Sequence, residues 1–86
     1  MRRRSQLRAQ AVTDLRRTGL AIADARVARL WNQSQLAAAV PCSARQVSRW
    51  ERGEQSIGLA MLARVAAALG VSVASLVEPA ADAHSG

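Results

Sequence analysis

The stretch Asn32–Gly53, NQSQLAAAVPCSARQVSRWERG, reads as two short helices joined by a tight turn. Asn32 and Ser43 carry short side chains that cap free backbone N–H groups, so helices are predicted over Gln33–Ala39 and from Ala44 to about Arg52. At about 100° per residue, Val47 and Trp50 share one face of the second helix. Arg45, Arg49 and Arg52 fall near the opposite face, with Ser48 at its edge. One side suits a core and the other an anion. Leu36, Val40, Cys42, Val47 and Trp50 point toward a common seam, as two steeply crossing helices require.

Working outward toward the C-terminus, EQSIG reads as a loop around one exposed apolar residue, Ile57. Leu59, Leu62, Val65, Ala66 and Leu69 then line one face of an amphipathic helix closed by Gly70. Ser72 caps a short helix through Leu76 or Val77, ended before Pro79, and 79–86 are expected to be a disordered tail. Toward the N-terminus, a helix is expected from about Leu20 to Leu30. Before it, Leu7, Ala11 and Leu15 recur every four residues, the mark of a helix over Gln6–Thr18 with a narrow apolar stripe. Thr18-Gly19 is read as the junction, either a stop or a bend, and residues 1–5 as a disordered basic arm. The expected organisation is a basic arm and helix over 1–19, a domain over 20–78, and the tail.

The core must come from Leu, Val, Ile, Met and two Trp, because the 86 residues include no Phe or Tyr. The net charge is +6, and every basic residue is an Arg. Residues 1–19 hold six Arg against Asp14 alone, whereas 20–78 hold six Arg against four acids. A basic segment ahead of a mildly basic body points to a polyanion partner. Nucleic acid is favoured over a membrane surface, since no stretch pairs a basic face with a strongly apolar one at interfacial length. A single Cys cannot form an internal disulfide, and no run approaches transmembrane length, so a cytoplasmic location is expected. MRRR is followed by a segment too charged for a signal-peptide core. One His, one Cys and no Gly-rich phosphate loop offer no catalytic or metal set, and neither enzyme activity nor a cofactor is expected.

Residues 22–77 resemble the Cro/repressor-type helix-turn-helix family, also called the XRE family. The landmarks run in order: Arg26, Asn32-Gln33, Leu36-Ala37, Val47-Ser48-Arg49-Trp50-Glu51-Arg52-Gly53, then Leu62, Val65-Ala66 and Leu69-Gly70-Val71. The resemblance implies an all-α, five-helix repressor-type domain, here with an additional N-terminal basic helix. It also implies sequence-specific binding of a double-stranded DNA operator, by a homodimer acting as a repressor. Ser43, Ala44, Arg45 and Arg49 would then meet base edges in the major groove. Asn32, Gln33, Ser48 and Arg52 would meet phosphates, and Arg26 with Glu51 would form an internal ion pair. The alternatives are an antitoxin-like protein whose N-terminal helix grips a toxin while DNA binding serves autoregulation, and a bridging protein whose fold binds only protein, such as the transcription machinery.

Two positions depart from the family pattern. Pro41 stands where the turn usually has a positive-φ glycine, so the turn must take another shape. Ile57 stands where relatives often have proline. Trp50 is read as core, and Trp31 as core or a partner contact. Cys42 is read as a small buried hydrophobe. Arg2, Arg3, Arg4 and Arg8 are read either as solvated or as lying along phosphates or a minor groove.

Overall fold

The computed structural model describes residues 2–78, and for 2–9 and 13 the backbone alone. Five helices follow one another with no strand among these residues: α1 (Arg2–Ala28), α2 (Gln33–Ala39), α3 (Ala44–Glu51), α4 (Leu59–Leu69) and α5 (Val73–Val77). No described helix is long and apolar enough to cross a membrane. The expected 79–86 tail lies outside the described residues.

The all-α class matches the expectation, but the N-terminal helix is not a separate element. α1 begins at Arg2 and runs as helix through Thr18-Gly19, so residues 2–5 of the expected arm are helical and, of the two readings of the junction, the stop does not form. Leu15, Gly19, Ile22 and Arg26 stand at i, i+4, i+7 and i+11, which makes one continuous stripe across the glycine. Gly19 is buried on that stripe. A Cβ there would fall well inside contact distance of the Trp50 carbonyl oxygen and 2.8 Å from that of Glu51. Glycine therefore serves as a contact, letting α1 lie against the backbone at the end of α3.

α1 ends sooner than the periodicity suggested. Leu30 is not helical but left-handed, with φ +61°. The Trp31 N–H donates back to the Arg26 carbonyl at 3.2 Å, and the Leu30 N–H to that of Val27 at 2.8 Å. These bonds satisfy carbonyls that a helix end leaves open.

The next helices start where their caps dictate. Asn32 Oδ1 accepts the Gln35 N–H at 2.8 Å while Gln35 Oε1 accepts the Asn32 N–H at 2.8 Å, a reciprocal capping box. Ser43 Oγ accepts the Gln46 N–H at 3.1 Å, and Ser72 Oγ the Ser75 N–H at 3.1 Å. Gly70, at φ +72°, takes the left-handed position that closes α4.

Between α2 and α3 the chain turns through Val40–Ser43 without a positive-φ residue. Val40 sits at φ −93°, ψ −7°, at the edge of the right-handed helical region, and its N–H donates to the Leu36 carbonyl at 3.1 Å. The Cys42 N–H donates to the Ala37 carbonyl at 2.8 Å and closes the turn. Pro41 is exposed and needs no backbone partner on nitrogen.

One core joins all five helices. Ile22 of α1, Leu36 and Ala37 of α2, and Val47 and Trp50 of α3 meet Leu62, Val65, Ala66 and Leu69 of α4 and Leu76 of α5, with Val40 sealing the turn. Fully burying each large aliphatic residue contributes about 1.5–3 kcal/mol. Two expectations on the α3–α4 side are reversed. Ile57 packs half-buried against this cluster, whereas Leu59, at the first position of α4, is 76% exposed. Cys42 is also half-buried at the edge of the cluster, not enclosed within it, and burial raises its thiol pKa.

Candidate nucleic-acid interface

The side chains of α3 divide cleanly. Val47 and Trp50 are buried, while Arg45 and Arg49 stand exposed on the other side. Neither arginine pairs with a carboxylate among the described residues, so both guanidiniums face solvent as free forks of donors. Arg52, at the helix C-cap, is exposed but pairs with Glu54 at 3.1 Å. Ser48 is half-buried at the edge of this face. At the N-terminal end, Ser43 is exposed with its hydroxyl oxygen already capping Gln46. Ala44 is half-buried with its side chain against the core.

Behind α3, a polar cluster ties three helices together. Arg26 Nε donates to Glu51 Oε2 at 2.7 Å and Nη2 to Oε1 at 3.0 Å, a two-pronged pair whose side chains are 14% and 6% exposed. Arg26 Nη1 also donates to the Trp31 carbonyl at 2.7 Å. The hydrogen bond to Glu51 raises the Arg26 pKa, with burial acting against it and the Glu51 charge adding to it. Gln33 Nε2 donates to Glu51 Oε1 at 2.9 Å, which turns the amide of α2's first residue inward onto the end of α3. The start of α2 is thereby held to α3 by side chains from opposite ends of the unit.

Asn32 is exposed, and its oxygen is committed to the cap. Its amide nitrogen makes no hydrogen bond among the described residues. Trp31 packs half-buried against the core and carries the Arg29 guanidinium 4.5 Å from its ring centroid. Arg29 Nη1 reaches the Leu69 carbonyl at the end of α4 at 3.5 Å. The backbone of Arg2, Arg3, Arg4 and Arg8 is helical, while their side chains lie outside the described residues.

Sequence reasoning missed three of these features. The Asn32–Gln35 box has a legible signal, a cap residue followed three positions on by Gln. The Gln33–Glu51 bond spans 18 residues and the Gly19–Trp50 approach 31, and local pattern carries no sign of either.

The comparisons with known proteins agree with this geometry. A helix-turn-helix family model matches residues 22–76. The restriction-modification controller protein C.AhdI from Aeromonas hydrophila superposes with a TM-score of 0.72 at 26% identity, over 74% of this chain and 97% of that one. A hypothetical transcription factor, NHTF, from Neisseria superposes with a TM-score of 0.74 at 32% identity, over 84% of each chain. No curated protein sequence matches the chain. A five-helix fold with a divided third helix, a family match over more than half the chain and these structural relatives together lead to one assignment: the chain belongs to the Cro/repressor-type (XRE) helix-turn-helix family and is a DNA-binding transcriptional regulator.

Proposed function

We propose that α3 lies in the major groove of a specific duplex operator and that the bound protein represses transcription. The observation that carries this reading is the pair of exposed arginines, Arg45 and Arg49, without a protein carboxylate on the face opposite Val47 and Trp50. Each offers the fork that matches guanine O6 and N7, discriminating by about 1–3 kcal/mol per good pair. Ser43 and Ala44 enter beside them. Ser43 brings a hydroxyl proton, since its oxygen is occupied by the cap, and Ala44 brings only the exposed part of its methyl.

Asn32, Gln33, Ser48 and Arg52 are assigned to phosphates. Asn32 would use its unengaged amide nitrogen. Gln33 would use the backbone N–H at the start of α2, its amide being held by Glu51. Arg26 and Glu51 keep a structural role, fixing α1, α2 and α3 relative to one another. The helix-turn-helix unit is assigned to residues 20–78, with α1 extending it N-terminally as one continuous helix. A homodimer in the cytoplasm would read two half-sites about one helical turn apart. No enzymatic step or cofactor is assigned; among the described residues no group of three His, Cys, Asp or Glu side chains is placed to hold a metal.

The test is a mobility-shift series on a duplex selected in vitro, with wild type, Arg45→Ala and Arg49→Ala. Each variant is expected to lose about 10- to 100-fold in specific affinity, with less change on unrelated duplex. Unchanged specific affinity in both would overturn the base-reading role of α3. A second reading draws on Val12, Leu20 and Val27, exposed within about 80° of one another along α1. Such a stripe suits a protein partner, a toxin or part of the transcription machinery. Failure of wild type to bind any duplex at low salt would favour that reading over the operator.

A further inference from the structure

We infer that Arg16, midway along α1, is a phosphate contact that extends operator binding beyond the base pairs met by α3. This rests on the operator reading above and adds to it a contact from outside the two-helix unit.

The argument begins at Gly53, which follows α3 at φ +70°. A Cβ on Gly53 would lie 2.8 Å from Arg16 Cγ and 3.1 Å from Arg16 Cα. The aliphatic stem of Arg16 therefore passes directly over the turn that ends α3. Arg16 and Leu20 share a shallow depression of about 290 Å³ with Glu51 and Arg52.

Along α3, Arg45, Arg49 and Arg52 stand at i, i+4 and i+7, a single row about 10 Å long. Arg16 lies beside Arg52, the last member of that row, across the shared depression and against Gly53. The basic surface of α3 is thereby extended onto α1, toward a duplex that carries a phosphate about every 3.4 Å of helix axis on each strand.

Charge bookkeeping separates Arg16 from its neighbours. Arg17 faces Asp14 at 3.1 Å, and Arg52 faces Glu54 at 3.1 Å. Glu51 is held by Arg26 and Gln33. Arg16 is exposed and pairs with no carboxylate among the described residues. Its stem is held against Gly53 before any ligand arrives, so less rotamer freedom is lost on contact than for a loose arginine.

The experiment uses the full chain on two versions of the selected operator, one with flanks of about one helical turn and one trimmed to the half-sites. Wild type, Arg16→Ala, Arg16→Lys and Arg17→Ala are titrated across a salt series, with thermal melts checking that each is folded. Arg16→Ala is expected to bind the flanked duplex about 3- to 10-fold more weakly and to flatten the log K against log salt slope by about 1 per chain. Base preference should be unchanged. Trimming the flanks should weaken wild type but not Arg16→Ala, Arg16→Lys should recover the slope, and Arg17→Ala should change less than Arg16→Ala. If folded Arg16→Ala keeps the wild-type affinity and slope, or loses as much as wild type on trimming, Arg16 is not a flank contact although the operator reading stands. If wild type selects no duplex at all, it is the operator reading that fails.

Discussion

Arg26 shows how a charge can be structural at the edge of a DNA-binding surface. It donates to both oxygens of Glu51 and to the Trp31 carbonyl, while the Gln33 amide donates a third hydrogen bond to the same carboxylate. Glu51 is nearly enclosed, so removing Arg26 would leave a buried carboxylate with one amide for company, a situation that costs about 3–5 kcal/mol in fully buried pairs. Leu30 illustrates the opposite case, a residue whose side chain does little and whose backbone is strained. It is 89% exposed, yet it occupies the left-handed conformation at φ +61°. Such a conformation costs a non-glycine residue about 1–2 kcal/mol, while glycine adopts it freely. Leu30→Gly is therefore expected to stabilise the fold by about 1 kcal/mol in a urea titration. A midpoint that falls would show that the side chain has a packing role. The residue-level reading of α3 was legible in the sequence, because 3.6-residue periodicity alone separates Val47 and Trp50 from Arg45 and Arg49.

At the scale of elements, the long α1 is the main departure from expectation. The starts of α2, α3 and α5 were readable at Asn32, Ser43 and Ser72, and the end of α4 at Gly70, since caps act within a few residues. The continuity of α1 was not readable. Gly19 is a local stop signal, with a penalty of about 1 kcal/mol inside a helix, and only its approach to the carbonyls of Trp50 and Glu51 explains its presence there. Gly19→Ala tests this directly. Helix propensity favours alanine by about 1 kcal/mol, but the added methyl would strike backbone that cannot rotate away, and overpacking costs about 1–3 kcal/mol. The variant is expected to melt below wild type. A higher melting temperature would mean that α1 does not lie so close to α3. Ile57 and Leu59 exchanged roles for a similar reason. Which of two neighbouring apolar residues is covered depends on where the α3–α4 loop crosses the core, and periodicity within α4 does not contain that.

At the scale of the whole molecule, the core is small and several apolar side chains remain outside it: Val12, Leu20, Val27, Leu59 and Val77. The proposed homodimer would cover part of this surface. Sedimentation of the full chain with a selected operator is expected to show two chains per duplex, and one chain per duplex at saturation would remove the homodimer. What the sequence determined is everything set by local chemistry: the all-α class, the caps, the buried and charged sides of α3, and the ordered landmarks of the helix-turn-helix family. What only the tertiary structure decided is how distant residues use one another. It made Gly19 a contact with α3 and turned the Gln33 amide onto Glu51. It brought Arg16 to the turn at Gly53, and it closed the turn around Pro41 with the Cys42 N–H on the Ala37 carbonyl. The physical reason is range. Hydrogen bonding at caps and helical periodicity act over a few residues, whereas close approach and the pairing of buried charge depend on which helices meet.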